Sequence, residues 1–163
     1  MTTVLMVCMG NICRSPMAQA VAQHLASQAA HSQRSSTIGG LEFASAGTHA
    51  HHTGERPDPR AAAALTRRGY APGSIRSRRI TEQDFQRFDL ILAMDRGNLA
   101  SLQRMCPPAH VTKLRLFLEF AENAEQAEIP DPYYGNADGF ERVLDLCEAG
   151  AKGLIKSLLP SGA

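Results

Sequence analysis

Apolar residues run almost unbroken from Thr3 to Val7, the pattern of a short strand buried on both faces. Ser15-Pro16 then supply a helix cap and a first helical residue, and Met17, Ala20, Val21, His24 and Leu25 follow at steps of three and four. That spacing predicts a helix with one buried face. The polar run from Ser27 to Gly39 reads as a frayed helix end and a loop, and Leu41 to Ala46 as a second strand. Asp58-Pro59 repeats the cap-and-proline signal before Ala61 to Leu65, with Gly69 as the stop. Thr81 and Asp84 form a capping-box pattern ahead of Phe85 and Phe88. Leu90 to Ala93 reads as a third strand, Asp95 to Met105 as a helix ended by Pro107-Pro108, and Val111 to Leu116 as a fourth strand. From Phe140 to Leu158 the apolar positions keep helical steps despite Gly150 and Gly153. Strands alternating with helices predict an α/β fold with a parallel sheet, in which ligands sit beyond the carboxyl ends of the strands.

Composition narrows the picture. The 163 residues are one domain's worth of chain, expected to span 1–163. Charged residues make up 20% and the net charge is +1, so no global attraction to nucleic acid or anionic membrane is expected. The start has no basic region before its short apolar run, and no stretch approaches the roughly 18 apolar residues of a spanning helix. Cys8, Cys13, Cys106 and Cys147 are too few and too unevenly spaced for a secreted disulfide framework. A soluble protein of the reducing cytoplasm is the expectation.

The chemistry concentrates in Cys8-Met9-Gly10-Asn11-Ile12-Cys13-Arg14-Ser15-Pro16, a strand-to-helix loop. Successive backbone N–H groups in such a loop form an anion-binding concavity, and the helix N-terminus adds positive partial charge. The same field favours the thiolate of Cys8. Arg14 offers a planar fork for two phosphate oxygens, Gly10 is expected to let the backbone turn, and Asn11 and Ser15 are candidates for fixing the loop. A buried structural cysteine and a simple N-cap would account for Cys8 and Ser15, but not for Arg14 and Gly10 together. Zinc on Cys8 and Cys13 lacks a second close ligand pair, and His49, His51 and His52 read as a solvated loop, so no metal is expected. Asp131-Pro132-Tyr133-Tyr134-Gly135 has two readings: an ordinary proline turn, or a carboxyl group beside aromatic rings that protonates an aryl oxygen.

Four ordered segments resemble the low-molecular-weight protein tyrosine phosphatases: Val7 to Pro16, Ser45 to Thr48, Ile80 to Asp95, and Asp131 to Gly135. The resemblance covers nearly the whole chain. It implies a single-domain three-layer sandwich with a four-stranded parallel sheet in the order 2-1-3-4, no cofactor, and a phosphocysteine intermediate. It also implies Cys8 as nucleophile, Arg14 as phosphate clamp and Asp131 as general acid. Met9, Gly10, Asn11, Ile12 and Cys13 then line the phosphate loop, Ser15 and Ser45 brace it with Asn11, and Tyr133 and Tyr134 form an aromatic rim. The implied partners are phosphotyrosine-containing proteins. Two departures stand out. His49-Ala50-His51-His52 occupies a segment where relatives often carry an aromatic residue, which places His51 in the cleft wall, and Ile75 stands where many relatives have a histidine near Asn11.

Rival activities on the same loop are arsenate reduction and arginine dephosphorylation. The first needs relay cysteines that Ile80 to Asp95 lacks, and Ile12 favours an aryl substrate over the second. A non-catalytic phosphate-binding module would lose Cys8 or Asp131, and both are present. Cys13 lies five positions from Cys8, so a reversible disulfide between them is also expected on oxidation.

Overall fold

The computed structural model describes residues 1–33, 40–124 and 126–159, the side chains of 31–33 apart. Strand β1 (Thr2–Cys8) leads into helix α1 (Arg14–Gln33), and β2 (Leu41–Gly47) follows. Then come α2 (Pro59–Arg67), α3 (Glu82–Arg87), β3 (Leu90–Ala93), α4 (Arg96–Met105), β4 (Leu114–Leu116) and α5 (Ala137–Leu158). The four strands form one parallel sheet in the order β2-β1-β3-β4.

The apolar run of β1 is explained by its central place, since Val4 to Val7 are fully buried. Alternation splits them between the two faces: Val4 and Met6 join a core under α1, α2 and α5, while Leu5 and Val7 join a second core with Phe85, Phe88 and Leu102. Helices thus cover both faces of the sheet, the three-layer arrangement that lets an all-parallel sheet exist.

Local signals set most boundaries. Asp58 caps α2 by accepting from the Arg60 N–H at 2.8 Å, Thr81 and Asp84 form the capping box of α3, and Asp95 caps α4 through the Asn98 N–H at 2.7 Å. Two expectations are corrected. α1 begins at Arg14, so Ser15 lies within the first turn instead of capping it. The same helix runs through Ser27 to Gln33, where a helix end was expected, and 34–39, the remainder of that polar run, lie outside the described residues. The fourth strand is only Leu114–Leu116, because Pro108–Lys113 form a 3₁₀ turn that proline's fixed φ initiates.

A second 3₁₀ turn, Phe117–Phe120, explains the two glycines of α5. A Cβ on Gly153 would meet the Phe120 carbonyl, and one on Gly150 would meet the Phe117 ring. The glycines are close-approach positions that seat α5 against the end of β4, and their helix-propensity cost of about 1 kcal/mol each is accepted for that contact.

Candidate active site

Cys8 ends β1 and Arg14 begins α1, so the intervening loop lies at the carboxyl edge of the sheet over a helix N-terminus. Its carbonyls are tied away from the loop's interior. Cys8 O accepts from the Thr48 N–H (3.0 Å), Met9 O from His49 N–H (3.0 Å), Ile12 O from Asp58 N–H (2.8 Å) and Cys13 O from Met17 N–H (3.1 Å). Gly10 O accepts from the Ser77 hydroxyl at 2.9 Å. The N–H groups of Gly10 to Cys13 have no protein partner among the described residues. A loop whose carbonyls, that of Asn11 apart, are anchored to neighbouring segments while its N–H groups stay unpaired forms an anion cradle.

The turn is made differently from expectation. Gly10 has an ordinary φ; the left-handed residue is Asn11, at φ 57°. Asn11 holds that conformation because its side chain bridges two elements, donating to Ser15 Oγ at 2.8 Å and accepting from the Arg78 N–H at 3.0 Å. Since Ser15 Oγ already accepts from Asn11, its own O–H is free for the Cys8 sulfur, 3.0 Å away. Gly47 is required where β2 crosses the loop, for a Cβ there would lie 2.7 Å from the Met9 carbonyl oxygen.

Ser45 does not share this network. Parallel register sets it opposite Met6, before the loop begins, and its hydroxyl donates to Gln19 Oε1 at 2.6 Å. Ile75 packs against the apolar core, and the bracing near Asn11 comes instead from Ser77 and the Arg78 N–H.

Arg14 is 2% exposed. Its Nη1 donates to Asp95 Oδ2 at 2.5 Å and to the Ile129 carbonyl at 3.0 Å, while Nη2 lies 3.7 Å from Asp131 Oδ2. Burial alone would lower its pKa, but Cys8, Asp95 and Asp131 outweigh that and hold it above the ordinary arginine value. Asp131 is positioned by an Asx-type bond in which its Oδ1 accepts from the Tyr133 N–H at 3.0 Å, leaving Oδ2 toward Arg14. Burial pushes the Cys13 thiol up to about 12, with Asp58, Cys8 and Asp131 adding to the effect.

These groups share one cavity of about 300 Å³. Cys8, Met9, Gly10, Ile12, Cys13 and Arg14 form its floor, and Asp131, Tyr133, Tyr134, His51 and His52 form its walls. Of the residues named from sequence, it gathers all except Asn11, Ser15 and Ser45; the first two stand directly behind the floor. Sequence reasoning missed His52, which packs over Gly10 and beside the Tyr133 ring (6.2 Å between centroids). It also missed the role of Asp95 toward Arg14, having placed Asp95 inside the helix that it in fact caps. No group of three or more His, Cys, Asp or Glu among the described residues is arranged to hold a metal ion, and no described helix is long and apolar enough to cross a membrane.

An α/β sheet whose central strand ends in a cysteine-bearing anion cradle defines a narrow class of protein. The chain belongs to the low molecular weight phosphotyrosine protein phosphatases, whose family pattern it matches over residues 3–161. It is 42% identical over 137 residues to the low molecular weight phosphotyrosine protein phosphatase of Schizosaccharomyces pombe, covering 84% of each chain. Among solved structures it resembles a protein tyrosine phosphatase from Entamoeba histolytica with Hepes in the active site (TM-score 0.88, 38% identity, 97% of each chain). A low molecular weight phosphotyrosine phosphatase from Vibrio cholerae O395 is similar over 100% of each chain (TM-score 0.87, 39% identity).

Proposed function

We propose that this chain hydrolyses phosphotyrosine in proteins of the cytoplasm through a phosphocysteine intermediate, with Cys8 as nucleophile, Arg14 as phosphate clamp and Asp131 as general acid and base. One observation carries the reading: Cys8, Arg14 and Asp131 line the same cavity, at a loop whose N–H groups from Gly10 to Cys13 have no protein partner among the described residues while five of its carbonyls are bonded to neighbouring segments. The phosphoryl group lies on the loop N–H groups and Arg14, whose charge is preorganised by Asp95 and the Ile129 carbonyl. The Cys8 thiolate attacks phosphorus in line as the bond to the phenolic oxygen breaks, and Asp131 delivers its proton to that oxygen. Water then attacks the phosphocysteine, Asp131 takes a proton from it, and the sulfur leaves as a thiolate stabilised by the Ser15 O–H. Inorganic phosphate and tyrosine are the products. Ile12, Tyr133 and Tyr134 give the cavity a depth and a rim suited to a flat aryl stem.

Rapid quenching of the Asp131→Ala protein during turnover of p-nitrophenyl phosphate tests the scheme. A phosphate adduct on the peptide containing Cys8 is expected, and Cys8→Ser should show neither adduct nor turnover. Turnover by Cys8→Ser near the wild-type rate would remove the thiolate from the mechanism.

A further inference from the structure

Charge is sharply segregated along this nearly neutral chain. Residues 49–80 hold seven arginines and two carboxylates, leaving ten basic and fourteen acidic residues for the remainder. The segment supplies His51 and His52, one wall of the catalytic cavity. The opposite wall comes from the segment 131–148, which holds five carboxylates and one arginine.

Ion pairs cancel most of this. Arg67 of α2 and Arg68, its C-cap, pair with Glu141, Asp145 and Glu148 of α5, Arg60 with Asp58, and Arg78 with Asp84. Glu55, the other acid of the basic segment, is engaged by His52 at 2.9 Å. Arg56, Arg76 and Arg79 remain: each is exposed, and none pairs with a carboxylate among the described residues. They hang from two loops joined back to back, with Gly54 N–H donating to Ser77 O (2.7 Å) and Ser77 N–H to Glu55 O (2.8 Å). The same loops brace the anion cradle through Ser77 to Gly10 and Arg78 to Asn11. Three guanidinium groups without a carboxylate partner among the described residues therefore stand on the loops that adjoin the histidine side of the cavity.

We infer that this side is a recognition surface for acidic side chains flanking the phosphotyrosine, so that the enzyme favours phosphotyrosine in Asp/Glu-rich segments. This rests on the phosphatase reading and adds a substrate class to it. An extended peptide spans about 3.5 Å per residue, so two or three residues to one side of the phosphotyrosine extend roughly 7–10 Å past the cavity, over the loops that carry these arginines. Three solvated arginines act as a field over this short path, and salt screens it.

The test compares two phosphotyrosine peptides, one flanked by glutamates and one by glutamines, with free phosphotyrosine and p-nitrophenyl phosphate as references. The acidic peptide should show about tenfold higher kcat/KM at low ionic strength, the scale of three weak surface pairs, with the advantage shrinking as salt is added. In Arg56→Gln/Arg76→Gln/Arg79→Gln the ratio should fall to near unity while p-nitrophenyl phosphate turnover, which also reports intact folding, stays at wild type. Equal use of both peptides by the wild type, or an unchanged ratio in the triple variant, overturns the inference alone. Failure on every phosphotyrosine substrate alongside turnover of p-nitrophenyl phosphate overturns the parent reading, and this inference with it.

Discussion

Asn11 fixes the shape of the Cys8–Arg14 loop, because a non-glycine residue at φ 57° persists only where its surroundings compensate the backbone cost. Its amide compensates by holding Ser15 Oγ and the Arg78 N–H at once. Asn11→Ala keeps the strain, loses both bonds and leaves buried partners unsatisfied, so it should cost about 2–4 kcal/mol and most of the turnover. Asn11→Gly removes the strain alone and should recover about 1 kcal/mol in urea unfolding without restoring the rate. A Gly variant as active as wild type would show that the side-chain bridge is dispensable. Cys13 needs a similar reading. A thiol held up to about 12 is a poor nucleophile at neutral pH, so its capture of an oxidised Cys8 requires loss of a proton from a buried group. After mild peroxide, mass spectrometry should find a Cys8–Cys13 crosslink whose yield rises as the pH is raised toward the thiol range. No crosslink at any pH would leave Cys13 as packing under the loop. The loop itself was legible because Cys8 to Pro16 are contiguous, each residue type carrying a chemical reason at a fixed spacing. Its braces were not, since Asp95, Ser77, Arg78 and the Thr48 N–H come from segments that only the sheet brings together.

Elements were readable where local side chains make the boundary, as with Asp58-Pro59 before α2 and Thr81 with Asp84 before α3. Where a boundary depends on backbone geometry, the pattern misled: the Pro108–Lys113 turn includes Val111 and runs into Leu114, a sequence that resembles a strand. The α4 N-terminus also does something that no local pattern announces. Glu128 Oε2 accepts from the Arg96 N–H at 2.9 Å and Oε1 from the Arg96 guanidinium at 3.3 Å. The Glu128 carbonyl accepts from Gln126 Nε2 (2.7 Å), whose Oε1 accepts from Arg142 of α5 (2.9 Å). With Ile129 N–H donating to the Met94 carbonyl at 2.8 Å, these bonds dock the segment that ends in Asp131 between α4 and α5. Glu128→Ala should therefore loosen Asp131, the proposed general acid, without touching the cradle. Its kcat on phenyl phosphate should drop roughly three- to tenfold, while p-nitrophenyl phosphate, whose leaving group needs little protonation, changes less. Glu128→Gln, which keeps an acceptor for the helix N-terminus, should recover part of the loss. An equal fall on both substrates would mean that the contact is merely structural.

At the scale of the whole molecule, pH acts on groups that the fold keeps neutral. Burial pushes Cys13 up to about 12 from 9.0, and burial together with Glu148, whose carboxylate accepts from the phenol at 2.5 Å, pushes Tyr70 up to about 12 from 10.0. Cys147 is also raised by complete burial. In the unfolded chain these groups ionise near their ordinary values, whereas the folded protein retains their protons. Between about pH 9 and 12 the folded state therefore binds more protons than the unfolded one, and stability must fall as pH rises through that window. The stability these groups contribute is fully present below about pH 9. A shift of three units on Cys13 corresponds to at most about 4 kcal/mol at the alkaline end, a large part of the 5–15 kcal/mol typical of a domain. Arginine partners act at the other end: the hydrogen bonds of Arg60 lower Asp58, and Arg78 overcomes burial to lower Asp84, so their contribution is lost as pH falls through the carboxylate range. The urea midpoint should thus hold near neutrality and decline steadily from about pH 9 to about pH 11. Tyr70→Phe should start lower, having lost the bond to Glu148, and decline less steeply above about pH 10, because one of the titrating groups is gone. A midpoint constant across that interval in the wild type would show that these groups are not held neutral by the fold.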